Sequence, residues 1–129
     1  MKLVVPFPPG GPLDVVGRTI AQKLSETWGQ SVVVDNKPGA GGNIGADIVA
    51  KSPADGYTIL VGASGAMAVG PLIYKTDYDT LKSFTPVTMI GDFPLFLAVA
   101  ADHPAKNAKE LVAWTNANPE KANYATSSP

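Results

Sequence analysis

The chain has 129 residues, 45% apolar and 16% charged, with ten Lys and Arg against eleven Asp and Glu for a net charge of −1. That length holds one domain-sized core rather than two ordinary domains. The balanced, scattered charge offers neither a basic nucleic-acid footprint nor a polybasic membrane patch. The absence of cysteine excludes disulfides, thiolate metal sites and cysteine nucleophiles, and one histidine cannot build a multi-His site.

No apolar run reaches the roughly 18 residues that a membrane-spanning helix needs. Met1 to Val5 opens like a secretory leader, but Pro6 to Pro9 interrupt it before an apolar segment can form. No signal peptide is therefore expected in this chain.

Leu3-Val4-Val5 reads as a short buried strand ending at Pro6. After the loop Pro6 to Pro12, Leu13, Val16, Ile20, Leu24 and Trp28 recur at helical spacing, with Gly29 as the stop. Ser31 to Asp35 is a second strand, rich in β-branched residues. A glycine-rich loop, Asn36 to Gly42, leads into a helix over about 43–51 with Asn43 as its N-cap. Ser52 to Gly56 forms a turn, and Tyr57 to Val61 a third strand. Gly62 to Ala66 is another small-residue loop. Thr85 to Ile90 and Leu95 to Ala101 are further strand candidates. Ala105 to Asn118 reads as a helix ended by Pro119, and Asn123 to Thr126 as a last short strand. Alternating strands and helices predict an α/β fold with an open, mostly parallel sheet.

The glycine-rich loops do not spell a nucleotide site. G-x-G-x-x-G fails from Gly39 at Ile44 and from Gly10 at Pro12, and no Gly precedes a Lys as a P-loop requires. Gly62-Ala63-Ser64-Gly65-Ala66 resembles a G-x-S-x-G nucleophile elbow but ends in Ala66. Asp92 and His103 follow in the chain order of a hydrolase triad, so a small serine hydrolase using Ser64, Asp92 and His103 is one alternative. A non-binding, self-associating structural fragment is another. Asp14, in the first helical turn, suits both the helix dipole and a role as acceptor bracing Pro8 to Gly11. Asp77 and Asp79 read as solvated surface. The remaining pattern is small residues, backbone N–H groups and hydroxyls after each strand. That pattern favours a small anion at the carboxyl ends of the strands.

Three stretches, in order and in register, resemble one family: Leu3 to Asp14 (Leu-Val-Val-Pro-Phe-Pro-Pro-Gly-Gly-Pro-Leu-Asp), Val33 to Gly45 (Val-Val-Asp-Asn-Lys-Pro-Gly-Ala-Gly-Gly-Asn-Ile-Gly) and Ala50 to Leu60 (Ala-Lys-Ser-Pro-Ala-Asp-Gly-Tyr-Thr-Ile-Leu). They are similar to the Bug/TctC extracytoplasmic solute receptors of tripartite tricarboxylate transporters. The resemblance implies a type II periplasmic-binding-protein fold of two α/β lobes with a ligand cleft between them. It implies a periplasmic, non-enzymatic receptor without cofactor or metal, which passes a small carboxylate to membrane permease subunits. Residues 1–92 would form lobe 1, 93–102 the crossing strand and 103–129 the beginning of lobe 2. By position, Phe7, Pro8, Gly10 and Gly11 of the first loop and Ser64, Gly65 and Ala66 of the third would hold the ligand carboxylate, partly through ordered water. Thr126 and Ser127 would lie on the facing lobe, and Asn36 to Gly45 would be largely structural. Family members are well over twice as long, so this chain is expected to be a truncated N-terminal portion. Such a half-cleft should bind more weakly. Its open interlobe surface and strand edges favour a homo-oligomer.

Overall fold

A computed structural model describes residues 1–94 and 96–125. The chain divides into two compact units, Met1–Val87 and Thr88–Pro129.

The first unit is α/β. Strands β1 (Lys2–Val5), β2 (Val33–Asn36) and β3 (Thr58–Leu60) form a parallel sheet in the order β2-β1-β3. Lys2 is in register with Val33 on one side and Thr58 on the other. Helix α1 (Pro12–Trp28) joins β1 to β2, and α2 (Asn43–Ala50) joins β2 to β3. Side chains alternate along β1, and all of Leu3, Val4 and Val5 are buried, as a central parallel strand covered on both faces requires. Leu3 and Val5 form a core with Ala21, Val32 and Val61. Gly17 lets α1 lie close on that face, since a Cβ there would stand 2.8 Å from Val5 Cγ2. On the opposite face Gly45 lets α2 rest on Pro6.

The local signals act largely as expected. Pro12 opens α1 at a position whose N–H has no helical partner, and Gly29 closes it in the left-handed conformation at φ 62°. Asp55 Oδ1 accepts the Tyr57 N–H at 2.9 Å, which fixes the turn before β3. One expectation is corrected. The cap of α2 is Gly42, at φ 99°, and Asn43 is the first helical residue. Its positive φ favours glycine, and a Cβ there would crowd Phe7 and Ala66 at 3.3 and 3.2 Å.

After β3 the chain makes a wide π-helical turn, Gly65–Val69, running into the short helix α3 (Gly70–Ile73). Thr85 to Ile90 forms no strand, and neither do the described residues of 91–101 and 123–125. These runs have the composition of strands. A strand, however, needs a neighbouring backbone to take its N–H and C=O groups, and the described sheet ends at β2 and β3. Leu95 and Thr126 lie outside the described residues.

In the second unit α4 spans Ala108–Ala117, shorter than the expected 105–118. Asn107 sets its start by accepting the Glu110 N–H at 3.0 Å, while Glu110 reaches back to the Lys106 N–H at 2.8 Å. This resembles a capping box, with Asn107 as the cap and the return bond from Glu110 displaced by one residue to the Lys106 N–H.

Candidate functional site

Because the strands are parallel, their three outgoing loops leave from one end of the sheet. The first is residues 6–11, the second 37–42 and the third 61–64. They converge on Gly42, whose missing side chain admits the ring of Phe7 from the first loop and the methyl of Ala66 beyond the third. Phe7 is half-buried and Ala66 fully buried. Two of the expected site residues, 59 positions apart, are thus brought together across the second loop.

Pro8, Gly10, Ser64 and Gly65 are exposed and Gly11 is half-buried. Among the described residues, no protein acceptor takes the N–H of Gly11, Ser64, Gly65 or Ala66, and the Ser64 hydroxyl makes no hydrogen bond. Neither the first loop nor the third carries a Lys or Arg. The donors on offer are neutral amides and one hydroxyl. Thr126 and Ser127 lie outside the described residues. Two concavities among the described residues lie away from the tips of the first and third loops in the first unit. One of about 400 Å³, between α2 and residues 74–78, is lined by Asn43, Asp47 and Tyr78.

What holds the first loop is Asp14. Its buried carboxylate accepts the Gly10 N–H at 2.9 Å, Arg18 Nε at 2.9 Å and Asn36 Nδ2 at 2.9 Å. The same Asn36 nitrogen donates to the Phe7 carbonyl at 3.0 Å, and Asn36 Oδ1 accepts from Arg18 Nη2 at 3.1 Å. Asn36 therefore spends both amide protons and its oxygen on one network, joining the end of β2 to both ends of the loop. The bracing role for Asp14 was legible in the sequence; Arg18 and Asn36 were not singled out for it. Their signal was the i, i+4 spacing of Asp14 and Arg18 and the position of Asn36 at the end of a strand parallel to β1.

The bond from Arg18, then those from Gly10 and Asn36, hold the Asp14 carboxyl well below the usual carboxylate range. A depressed folded value stabilises the native state in full above the unfolded value of about 4, and that contribution is lost as pH falls toward the folded value. Urea midpoints of the wild type and Asp14→Asn should therefore differ most near neutrality, and the gap should narrow below about pH 4. A gap independent of pH down to about 3 would contradict this account of the loop.

The hydrolase alternative finds no support in the second unit. His103 Nδ1 accepts the Ala105 N–H at 3.1 Å, and its ring stands edge-on to Trp114 at 4.6 Å. With Nδ1 so engaged, the neutral ring carries its proton on Nε2, and its lone pair serves the backbone.

The comparisons with known proteins agree with the α/β fold. The family model described as "Tripartite tricarboxylate transporter family receptor" matches residues 16–128. Protein BugT of Bordetella pertussis strain Tohama I is 43% identical over 127 residues, covering 97% of this chain and 39% of BugT. Rpa4515 of R. palustris, solved with adipate, superposes with a TM-score of 0.83 at 43% identity, over 92% of this chain and 40% of its own. MatC (Rpa3494) of Rhodopseudomonas palustris, solved with bound malate, gives 0.81 at 35% identity, over 90% and 40%. The chain thus spans about two fifths of the length of these relatives. Proteins of this kind are periplasmic solute-binding receptors and not enzymes. With its parallel α/β sheet, its converging loops and a family match over most of its length, the chain belongs to the tripartite tricarboxylate transporter receptor family, TctC.

Proposed function

We propose that this chain is the ligand-binding part of a periplasmic receptor that captures a small dicarboxylate, of the size of malate or adipate, and passes it to the membrane permease subunits of a tripartite transporter. The observation that carries this reading is the meeting of Phe7 and Ala66 across Gly42. It sets the open N–H groups of the first and third loops at one end of the sheet, where open α/β folds bind their ligands. The adipate and malate in the related structures support the ligand class. In this reading a ligand carboxylate takes the Gly11, Ser64, Gly65 and Ala66 amides and the Ser64 hydroxyl, directly or through water, while Phe7 and Pro8 wall the site. Residues 1–92 are the first lobe, 93–102 the crossing segment and 103–129 the opening of the second, to which Thr126 and Ser127 belong. Two copies would associate through the open interlobe surface and the unpaired strand edges.

The test is isothermal titration of the 129-residue chain with malate, adipate and citrate, with glucose as the neutral control. Saturable heat with a dicarboxylate and none with glucose is expected. No saturable heat with any acid, from a sample that melts cooperatively, would overturn the reading.

A further inference from the structure

Beside the third loop stands a device that neither the family match nor the loop composition accounts for. In the π-helical turn the Gly70 N–H bonds to the Gly65 carbonyl, five residues back. That register takes away the α-helical donor of the Ala66 carbonyl. The next N–H along would belong to Pro71, which has none. Pro71 is also the residue that should supply the α-helical donor for Met67. Both carbonyls are instead met by side chains from residues 78–80. The Tyr78 hydroxyl donates to the Ala66 carbonyl at 2.7 Å, and the Thr80 hydroxyl donates to the Met67 carbonyl at 2.7 Å. Tyr78 is buried, its ring edge-on to Phe84 at 5.6 Å, and its hydroxyl proton is shared with a second acceptor, Asn43 Oδ1, at 3.0 Å. The Met67 N–H closes the preceding turn, in α register, onto the Ala63 carbonyl at 2.9 Å. The Ala66–Met67 peptide is therefore held at both its oxygen and its nitrogen.

We propose that Tyr78 and Thr80 are positioning residues for the binding site. They replace the backbone donors that Pro71 cannot supply, hold the 65–70 turn in its widened form, and so aim the Ser64, Gly65 and Ala66 amides at the ligand carboxylate. Neither side chain touches the ligand. The inference rests on the carboxylate-receptor reading and assigns the site a positioning support.

The experiment combines hydrogen exchange of the Met67 amide with the dicarboxylate titration above, in Tyr78→Phe, Thr80→Val and Thr80→Ser. Tyr78→Phe and Thr80→Val should speed Met67 exchange relative to the Val4 amide of β1. Each should weaken dicarboxylate binding by about tenfold, the scale of one lost hydrogen bond. Thr80→Ser keeps the hydroxyl and should keep both properties. Unchanged Met67 exchange in Tyr78→Phe and Thr80→Val would overturn the clamp. Faster exchange with unchanged affinity would overturn its role in the site, as would a Thr80→Ser variant that fails like Thr80→Val. A wild-type chain with no response to any acid would retire the carboxylate reading and, with it, the positioning role. The Met67 exchange rates would still decide whether the clamp exists.

Discussion

Gly45→Ala should destabilise the chain by about 2 kcal/mol or more, although alanine is the better helix former by about 1 kcal/mol. A Cβ at position 45 would stand 2.6 Å from Pro6 Cβ, 2.9 Å from Pro6 Cα and 3.0 Å from the Lys37 carbonyl. Two of those neighbours are backbone atoms, and the third belongs to a proline ring that cannot rotate away. Either α2 must lift off the sheet or the first loop must move. The comparison is Gly17→Ala, where the only contact under 3 Å is with a side-chain methyl, Val5 Cγ2 at 2.8 Å, and no backbone atom stands in the way. Urea unfolding followed by tryptophan fluorescence should place Gly45→Ala well below Gly17→Ala. Equal midpoints, or a stabilised Gly45→Ala, would contradict the packing described for the carboxyl end of β1.

Asp14→Ala should have the larger effect on binding. It removes at once the acceptor for Gly10, the partner of Arg18 and one of the two acceptors of the Asn36 amide. The Asn36 bond to the Phe7 carbonyl then loses its brace, so the ring of Phe7 is no longer held against Gly42. A dicarboxylate should bind Asp14→Ala at least about tenfold more weakly, since ordering the loop becomes a cost of binding. Asn36→Ala, which keeps the bonds of Asp14 to Gly10 and Arg18, should show a smaller loss in the same titration. Wild-type affinity in Asp14→Ala would show that the first loop does not depend on this network or does not bind ligand.

Much of the first unit was legible because its signals are local. β1, α1, β2 and β3 follow from runs such as Leu3 to Val5 and from the helical spacing of Leu13 to Trp28, with Pro12 and Gly29 marking the ends. Asp14 could be read as the brace because its acceptor role lies within four residues of its donors Gly10 and Arg18. Tyr78 could not. Its partners, Ala66 and Asn43, are 12 and 35 residues away, and nothing in Thr76-Asp77-Tyr78-Asp79-Thr80 separates it from an exposed connection. The clue lay in Gly70-Pro71, where a proline follows closely on a helical turn and leaves carbonyls that some side chain must satisfy. Asn43 misled for the reverse reason. Its residue type suits a cap, but the positive φ and the crowding at position 42 passed the cap to glycine. The strands expected over 85–90 and 95–101 were read from composition, which reports how well a residue sits in a sheet and not whether a neighbouring strand is there to receive it.

The most direct test of the account is a dicarboxylate titration of the ¹⁵N-labelled chain, followed residue by residue in its backbone amide signals. The account predicts saturable shifts concentrated at Phe7, Gly10 and Gly11 and at Ser64, Gly65 and Ala66, with a common dissociation constant, while the amides of α4 stay still. Shifts confined to other surfaces, or shifts in only one of the two loops, would contradict the claim that Gly42 brings them together as a single carboxylate site.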